Sequence, residues 1–207
     1  CYPFKDEVLF VVPPRNLWPP PPSLKVRWKG ARFVPLPVVE ALLAGRPLDE
    51  EEWRVDGPSG CLTPSRWERG PFRAAIRSGA AVDRLSGDVA VHRTACLEFT
   101  PGAGMWAVAA FASEEAASRW AGPVRAALRL LADSGIGGER TSGWGRSGKT
   151  EFSEGVLPDL ILAPREAEPT PVEGEPLPAP ATAYWLLSLF TPAEADAVNW
   201  DRGAYSL

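Results

Sequence analysis

Arg140, Arg146 and Lys149 stand among Gly135, Gly137, Gly138, Gly143, Gly145 and Gly148, six glycines within fourteen residues, with hydroxyls at Thr141, Ser142 and Ser147. Glycine lets the backbone take positive φ and lets another chain approach closely, while the cations and hydroxyls supply donors to an anion. The chemistry open to this run is the holding of a phosphate-bearing ligand.

Two nucleotide-binding patterns overlap it. Gly143 to Thr150 fits G-x-x-x-x-G-K-[ST], and Gly143, Gly145 and Gly148 fit G-x-G-x-x-G. Both patterns work by presenting phosphate to a helix N-terminus after a strand. Here the apolar spacing of Val124, Leu128 and Leu131 predicts a helix before the glycines, and Glu151-Phe152-Ser153-Glu154-Gly155 is too broken to be a helix after them. A helix C-terminus repels anions, so phosphate binding must rest on loop amides and on Arg140, Arg146 and Lys149. A P-loop NTPase would instead need Lys149 at a helix start.

The run Asp133-Ser134-Gly135-Ile136-Gly137-Gly138-Glu139-Arg140-Thr141-Ser142-Gly143-Trp144-Gly145-Arg146 resembles the glycine-rich loop of the RAMP superfamily of CRISPR-associated proteins. It is most similar to the type III-A (Csm complex) subunit that caps the 5′ tag of the CRISPR RNA (crRNA). Further matches lie in the same order: Val82 to Gly87, Arg93-Thr94-Ala95 with Phe99 to Trp106, and Trp185 to Phe190. The resemblance implies an α+β fold of ferredoxin-like (RRM-like) type, one domain nearly complete and a second just beginning. It implies a non-catalytic, cytoplasmic RNA-binding subunit in antiviral defence, with neither metal nor cofactor. Its partners would be the crRNA 5′ tag, the large Cas-ten-type polymerase subunit and the backbone RAMP subunit. The expected RNA-binding set is Gly137, Gly138, Arg140, Ser142, Gly143, Trp144, Gly145, Arg146 and Lys149. Arg77, Arg84 and Arg93 join it from a thumb-like protrusion, where the planar guanidinium can pair with phosphate and stack on a base.

The elements that must position these residues follow from the rest of the chain. At 207 residues, 45% of them hydrophobic, with nine Trp, the sequence can bury a core of one or two domains. A net charge of −4 argues against a freestanding nucleic-acid binder, yet the charge is segregated. Six Arg face three acids from Arg66 to Arg93, and seven acids face one Arg from Glu151 to Glu175. That pattern fits a local RNA surface beside an acidic face. Cys1, Cys61 and Cys96 have no zinc spacing and read as reduced thiols. No hydrophobic run approaches membrane-spanning length, so no membrane partner is expected. With no initiator Met and a start in mid-pattern, the chain reads as a fragment. Against the family pattern, a first strand and helix would precede Cys1 and a second glycine-containing strand pair would follow Leu207.

Along the chain, Val8 to Val12 reads as a buried strand ended by Pro13-Pro14, Pro19 to Pro22 as polyproline, and Lys25 to Lys29 as a half-buried strand. Val38 to Ala44 reads as a helix closed by Gly45, and Asp49 to Glu52 as an acidic loop. About residues 57–104, the arginines Arg77, Arg84 and Arg93 flank a turn at Ser86-Gly87-Asp88, which suggests two extended arms. Thr94 to Phe99 and Met105 to Phe111 read as a hairpin, Ser113 as a helix cap, Pro123 as the start of a second helix, and the Val124 face as packing on a sheet. Phe152 and Val156 to Ala163 would return as strands. The domains expected are 1–163, a Pro/Glu-rich linker over 164–180, and a second fold over 181–207, where Tyr184 to Phe190 would be a strand, Thr191 to Glu194 a capping box, and Trp185 and Trp200 core residues. His92, the one histidine, is the candidate base if the chain is instead a RAMP-type crRNA-processing endoribonuclease.

Overall fold

The two prolines after Val12 and the glycine after Ala44 punctuate the first half of the chain as their chemistry requires. The computed structural model describes residues 1–15, 17–19, 28–157, 159, 161, 185–187, 191–194, 196 and 198–203. They fall into two units, Tyr2–Met105 with the described residues after Ile161, and Trp106–Ile161 with Cys1. The fold is α+β, with antiparallel pairings throughout the hairpins.

In the first unit, β1 (Tyr2–Lys5) turns back into β2 (Val8–Val11) through Asp6 and Glu7, both at positive φ, the geometry that matches strand twist in a two-residue turn. Pro13 and Pro14 offer no amide to the ladder and end β2 where expected. β3 (Val34–Pro35) pairs with Phe10 and Val11 and runs straight into α1 (Leu36–Leu43). The helix starts two residues before the expected Val38, because Pro37 sits in the first turn, where no amide partner is needed. It ends at Gly45, whose φ is +63°. Phe10, Val11, Val34, Val38 and Val39 are buried together with Leu62 and Trp28, and they form the core.

β4 (Trp53–Asp56) and β5 (Cys61–Pro64) make a hairpin for which no strand was expected. Its turn is held by the Asp56 carboxylate, which accepts from the Ser59 amide at 3.0 Å and from its hydroxyl at 2.6 Å. Burial holds the Cys61 thiol at a pKa of about 11, an inert core thiol.

β6 (Phe72–Val82) and β7 (Val89–Phe99) pair over eleven positions, from Phe72 opposite Phe99 to Val82 opposite Val89. These are the two expected arms, a ribbon about 35 Å long at strand rise. The hairpin expected between Thr94–Phe99 and Met105–Phe111 is not formed. Thr94 to Phe99 belong to β7, and β8 (Ala103–Trp106) closes a four-stranded sheet of order β3-β2-β1-β8. Gly102, at φ +75°, makes the redirecting turn, and its carbonyl accepts from the Asp6 amide at 3.0 Å.

In the second unit, α2 spans Glu114–Ser134. Ser113 caps it, its hydroxyl accepting from the Ala116 amide at 3.1 Å, with Glu114 and Glu115 favourably placed in the first turn. Pro123 lies inside this helix and does not begin a second one; it forfeits one amide bond while the residues on both sides keep helical spacing. The Val124 face does not bury as expected: Leu128 and Leu131 keep 39% and 37% of their surface, and Ala132 is the buried residue of the helix. Residues 151–157 are irregular, not a strand.

The polyproline and Lys25 strand expectations fall mostly outside the described residues, as do the linker and about half of the segments 156–163 and 181–207. Of the last segment, Trp185 donates from Nε1 to the Val12 carbonyl at 3.1 Å. Thr191 to Glu194 open no helix; the Ala193 amide donates instead to the Asp196 carboxylate at 2.8 Å. Trp200 is half exposed and not a core residue. Among the described residues no helix is long and apolar enough to cross a membrane, and no cluster of His, Cys, Asp and Glu could hold a metal.

Candidate nucleic-acid interface

The glycine run folds as a closed loop on the end of α2. Gly135 (φ +96°) ends the helix, its amide donating to the Leu131 carbonyl at 2.9 Å. The loop then shuts on itself: Ile136 donates to the Gly145 carbonyl at 3.0 Å and Ser147 to the Ala132 carbonyl at 3.0 Å. Its tip is a single 3₁₀ turn, Arg140–Ser142, entered through Glu139 at φ +56°. The Glu139 carbonyl accepts from Ser142 at 3.0 Å and Trp144 at 3.3 Å, and its carboxylate from the Ser142 hydroxyl at 3.2 Å.

The glycines divide into two kinds. A β-carbon on Gly135 would collide with the Trp144 carbonyl oxygen, and one on Gly145 with the Ile136 backbone. Those two glycines let the loop close. A β-carbon on Gly137, Gly138 or Gly143 would meet nothing within 4 Å. These three present bare backbone outward, and the amides of Gly137, Gly138 and Arg146 donate to no acceptor among the described residues. Exposed, unpaired amides on a stretch without side chains are what an anion needs in order to approach a backbone.

The cations around the loop are not equivalent. Arg140 and Arg146 are exposed and have no carboxylate partner among the described residues. Lys149 Nζ lies 2.5 Å from Glu151 Oε1, and that hydrogen bond raises the lysine pKa and lowers that of the glutamate. Trp144 is half-buried and Ser142 is spent on Glu139, so neither presents its polar or aromatic group freely.

Arg77, Arg84 and Arg93 belong to the other unit. Strand alternation puts Arg73 and Arg77 of β6 on the face that also carries His92, Thr94, Cys96 and Glu98 of β7. There Arg73 and Arg77 both bind the Glu98 carboxylate, Arg73 at 2.7 Å, and the Arg73 hydrogen bond first among them holds that carboxyl below its usual range. Arg77 is thereby occupied. Arg93 stands on the opposite face with Phe72, Ile76, Val82, Val89, Val91, Leu97 and Phe99, an apolar surface on which Ile76 and Val91 are 69% and 71% exposed. Arg84 sits in the tip, where the Asp83 carboxylate accepts from the Leu85 and Ser86 amides at 2.7 and 3.1 Å and is held below its usual pKa by them.

His92 lies on β7 across Gly79, exposed and without a described carboxylate partner. Residues 151–157 form no helix, so Lys149 is not at a helix start. Residue types and spacing passed over Arg125 and Arg129, which project one turn apart from α2 onto the Phe152 ring at 6.0 and 5.3 Å from its centroid. Their i, i+4 spacing was the available signal. No protein-family model matches the chain, and no curated protein matches it.

Proposed function

We propose that this chain is a non-catalytic RNA-binding subunit of a type III-A CRISPR effector complex, a ferredoxin-like (RRM-like) RAMP protein of the cytoplasm. It holds the 5′ tag of the crRNA on the loop after α2 and bridges the large Cas-ten-type polymerase subunit to the backbone RAMP subunits. The observation that carries the reading is the outward face of Gly137 and Gly138: bare backbone, amides without an acceptor among the described residues, and Arg140 and Arg146 nearby in the same loop without a described carboxylate partner. A sugar-phosphate chain is the ligand that uses all of these at once, its phosphates meeting amides and guanidinia while its sugars need close approach. The apolar face of β6–β7 is aliphatic except for Phe72 and Phe99 at its base, which suits a protein partner better than bases that stack on aromatic rings. The one cation on that face, Arg93, calls for a partner surface bearing a carboxylate.

An ATPase reading gains nothing from Lys149 paired to Glu151, nor a nuclease reading from an imidazole without a described acid. The deciding substitution is Gly138→Ala. Gly138 is not at positive φ and has open space where the methyl group would go, so the variant keeps its fold. Fluorescence anisotropy with labelled single-stranded RNA carrying the tag should give about tenfold weaker binding, the equivalent of ~1.4 kcal/mol. Equal affinity in the variant and the parent would mean that the RNA lies elsewhere.

A further inference from the structure

Downstream of the glycine loop the chain runs back along α2. Ser147 is tied to Ala132, Phe152 lies against Arg129 and Arg125, and Glu154 pairs with Arg125. From Ala132 to Arg125 is seven helical residues, a distance of about 10 Å. At the far end of this path Arg125, Arg129, Thr150, Phe152 and Glu154 line an open cleft of about 510 Å³.

Phe152 does two things there. Its ring carries both guanidiniums, which are attracted to the negative π-face. It also holds two like charges one helical turn apart, an arrangement that costs energy unless an anion sits between or beside them. Glu154 answers one of them. Two guanidiniums against one carboxylate leave one positive charge over, and Arg129 has no carboxylate partner among the described residues. The Glu154 side chain is 76% exposed and so easily displaced. Thr150, half-buried at the same wall, adds a hydroxyl donor.

The geometry points to a second phosphate site, in which a phosphate group is bound by Arg125 and Arg129, steadied on Phe152, and takes the place Glu154 occupies when the site is empty. It rests on the RNA reading above for the source of that phosphate: a phosphodiester of the same single strand that crosses the Gly137–Gly138 face, a short way further along α2. Guanidinium pairs suit phosphate because each can offer two parallel N–H donors, and a phosphodiester in the place of Glu154 carries the same single charge while accepting from both guanidiniums at once. Glu154 then acts as an internal competitor that makes the site answer to phosphate and not to any weak anion.

The test uses the full chain with labelled single-stranded RNA, measured at several salt concentrations, for the parent, Arg129→Ala, Glu154→Gln and Gly138→Ala. Arg129→Ala should bind about tenfold more weakly and reduce the slope of log affinity against log salt by about 0.7, the loss of one phosphate contact on a single strand. Glu154→Gln, which changes an exposed side chain and leaves the fold intact, should bind about threefold more tightly, by removal of the competitor. If both variants match the parent while Gly138→Ala weakens, the RNA reading stands and the second site is refuted. If the parent binds no RNA, the RNA reading fails, and titration with inorganic phosphate decides the site alone. Saturable shifts of the Arg125 and Arg129 Nε–H resonances, stronger in Glu154→Gln, support it; unmoved resonances overturn it.

Discussion

The loop after α2 and the β6–β7 ribbon offer themselves to partners in opposite ways. In the loop the backbone is the surface: Gly137, Gly138 and Gly143 carry nothing outward, and the amides of Gly137 and Gly138 have no acceptor among the described residues. In the ribbon the eleven-position register consumes the inward amides, and the side chains are the surface, aliphatic on one face and ionic on the other. A single added carbon can therefore disable the loop, whereas the ribbon must be altered by removing or reversing what its side chains carry. The charges differ in the same sense. Arg140 and Arg146 have no carboxylate partner among the described residues, but Arg77 is already held by Glu98.

The largest effect belongs to Gly145→Val. It combines strain at φ +73° with collision against the Ile136 backbone, so the loop cannot close. A cost of about 3 kcal/mol falls on the loop, in the upper range for single substitutions. Hydrogen exchange of the Ile136 amide should accelerate accordingly and RNA binding should disappear. Protection of Ile136 retained in the variant would mean that the loop is not shut by its bond to Gly145.

Next comes a charge placed on the apolar face of the ribbon. Val91→Asp puts a carboxylate on the exposed apolar face, where no side chain of the core depends on it. Capture of the backbone RAMP subunit by the tagged protein should fall about tenfold, at unchanged RNA affinity, because an unpaired charge must be desolvated on docking. A fall in RNA affinity with capture intact would assign this face to RNA, reversing the division between loop and ribbon.

What the sequence made legible, and what it hid, follows from how many residues a feature needs. Ser113 and Gly135 bound α2 because a cap and a stop each depend on one residue. The arms of the ribbon were visible because the turn at Ser86-Gly87-Asp88 is locally encoded. β5 was hidden: four buried residues, Cys61 to Pro64, offer no alternation to read. The partner of Thr94–Phe99 was misread because register is a property of two strands, and β6 outcompetes the nearer Met105 by offering eleven positions. Within the candidate site the letters identified the glycines but not their division. Gly145 and Gly138 are the same residue, and only the closed path of the backbone makes one structural and leaves the other bare. The binding of Arg77 to Glu98, twenty-one residues on, was equally invisible.

The smallest effect is the most discriminating, because it asks whether the ionic face of the ribbon meets RNA at all. Arg73 and Arg77 hold the Glu98 carboxyl below its usual pKa of 4.5, so this clamp is present at neutral pH and is lost only as pH falls through the lowered value. At pH 7, Arg146→Ala should reduce the salt slope by about 0.7 and Arg77→Ala should leave it unchanged, since one guanidinium has no described carboxylate partner and the other is held by Glu98. Glu98→Gln reproduces the acid state at neutral pH and frees both arginines. If the face lies along the RNA, RNA affinity should then rise about threefold, and Arg77→Ala made in that background should remove the gain, a coupling that additive sites would not give. Unchanged affinity in Glu98→Gln would confine the RNA to the loop side of the comparison and leave the ribbon to proteins on both of its faces.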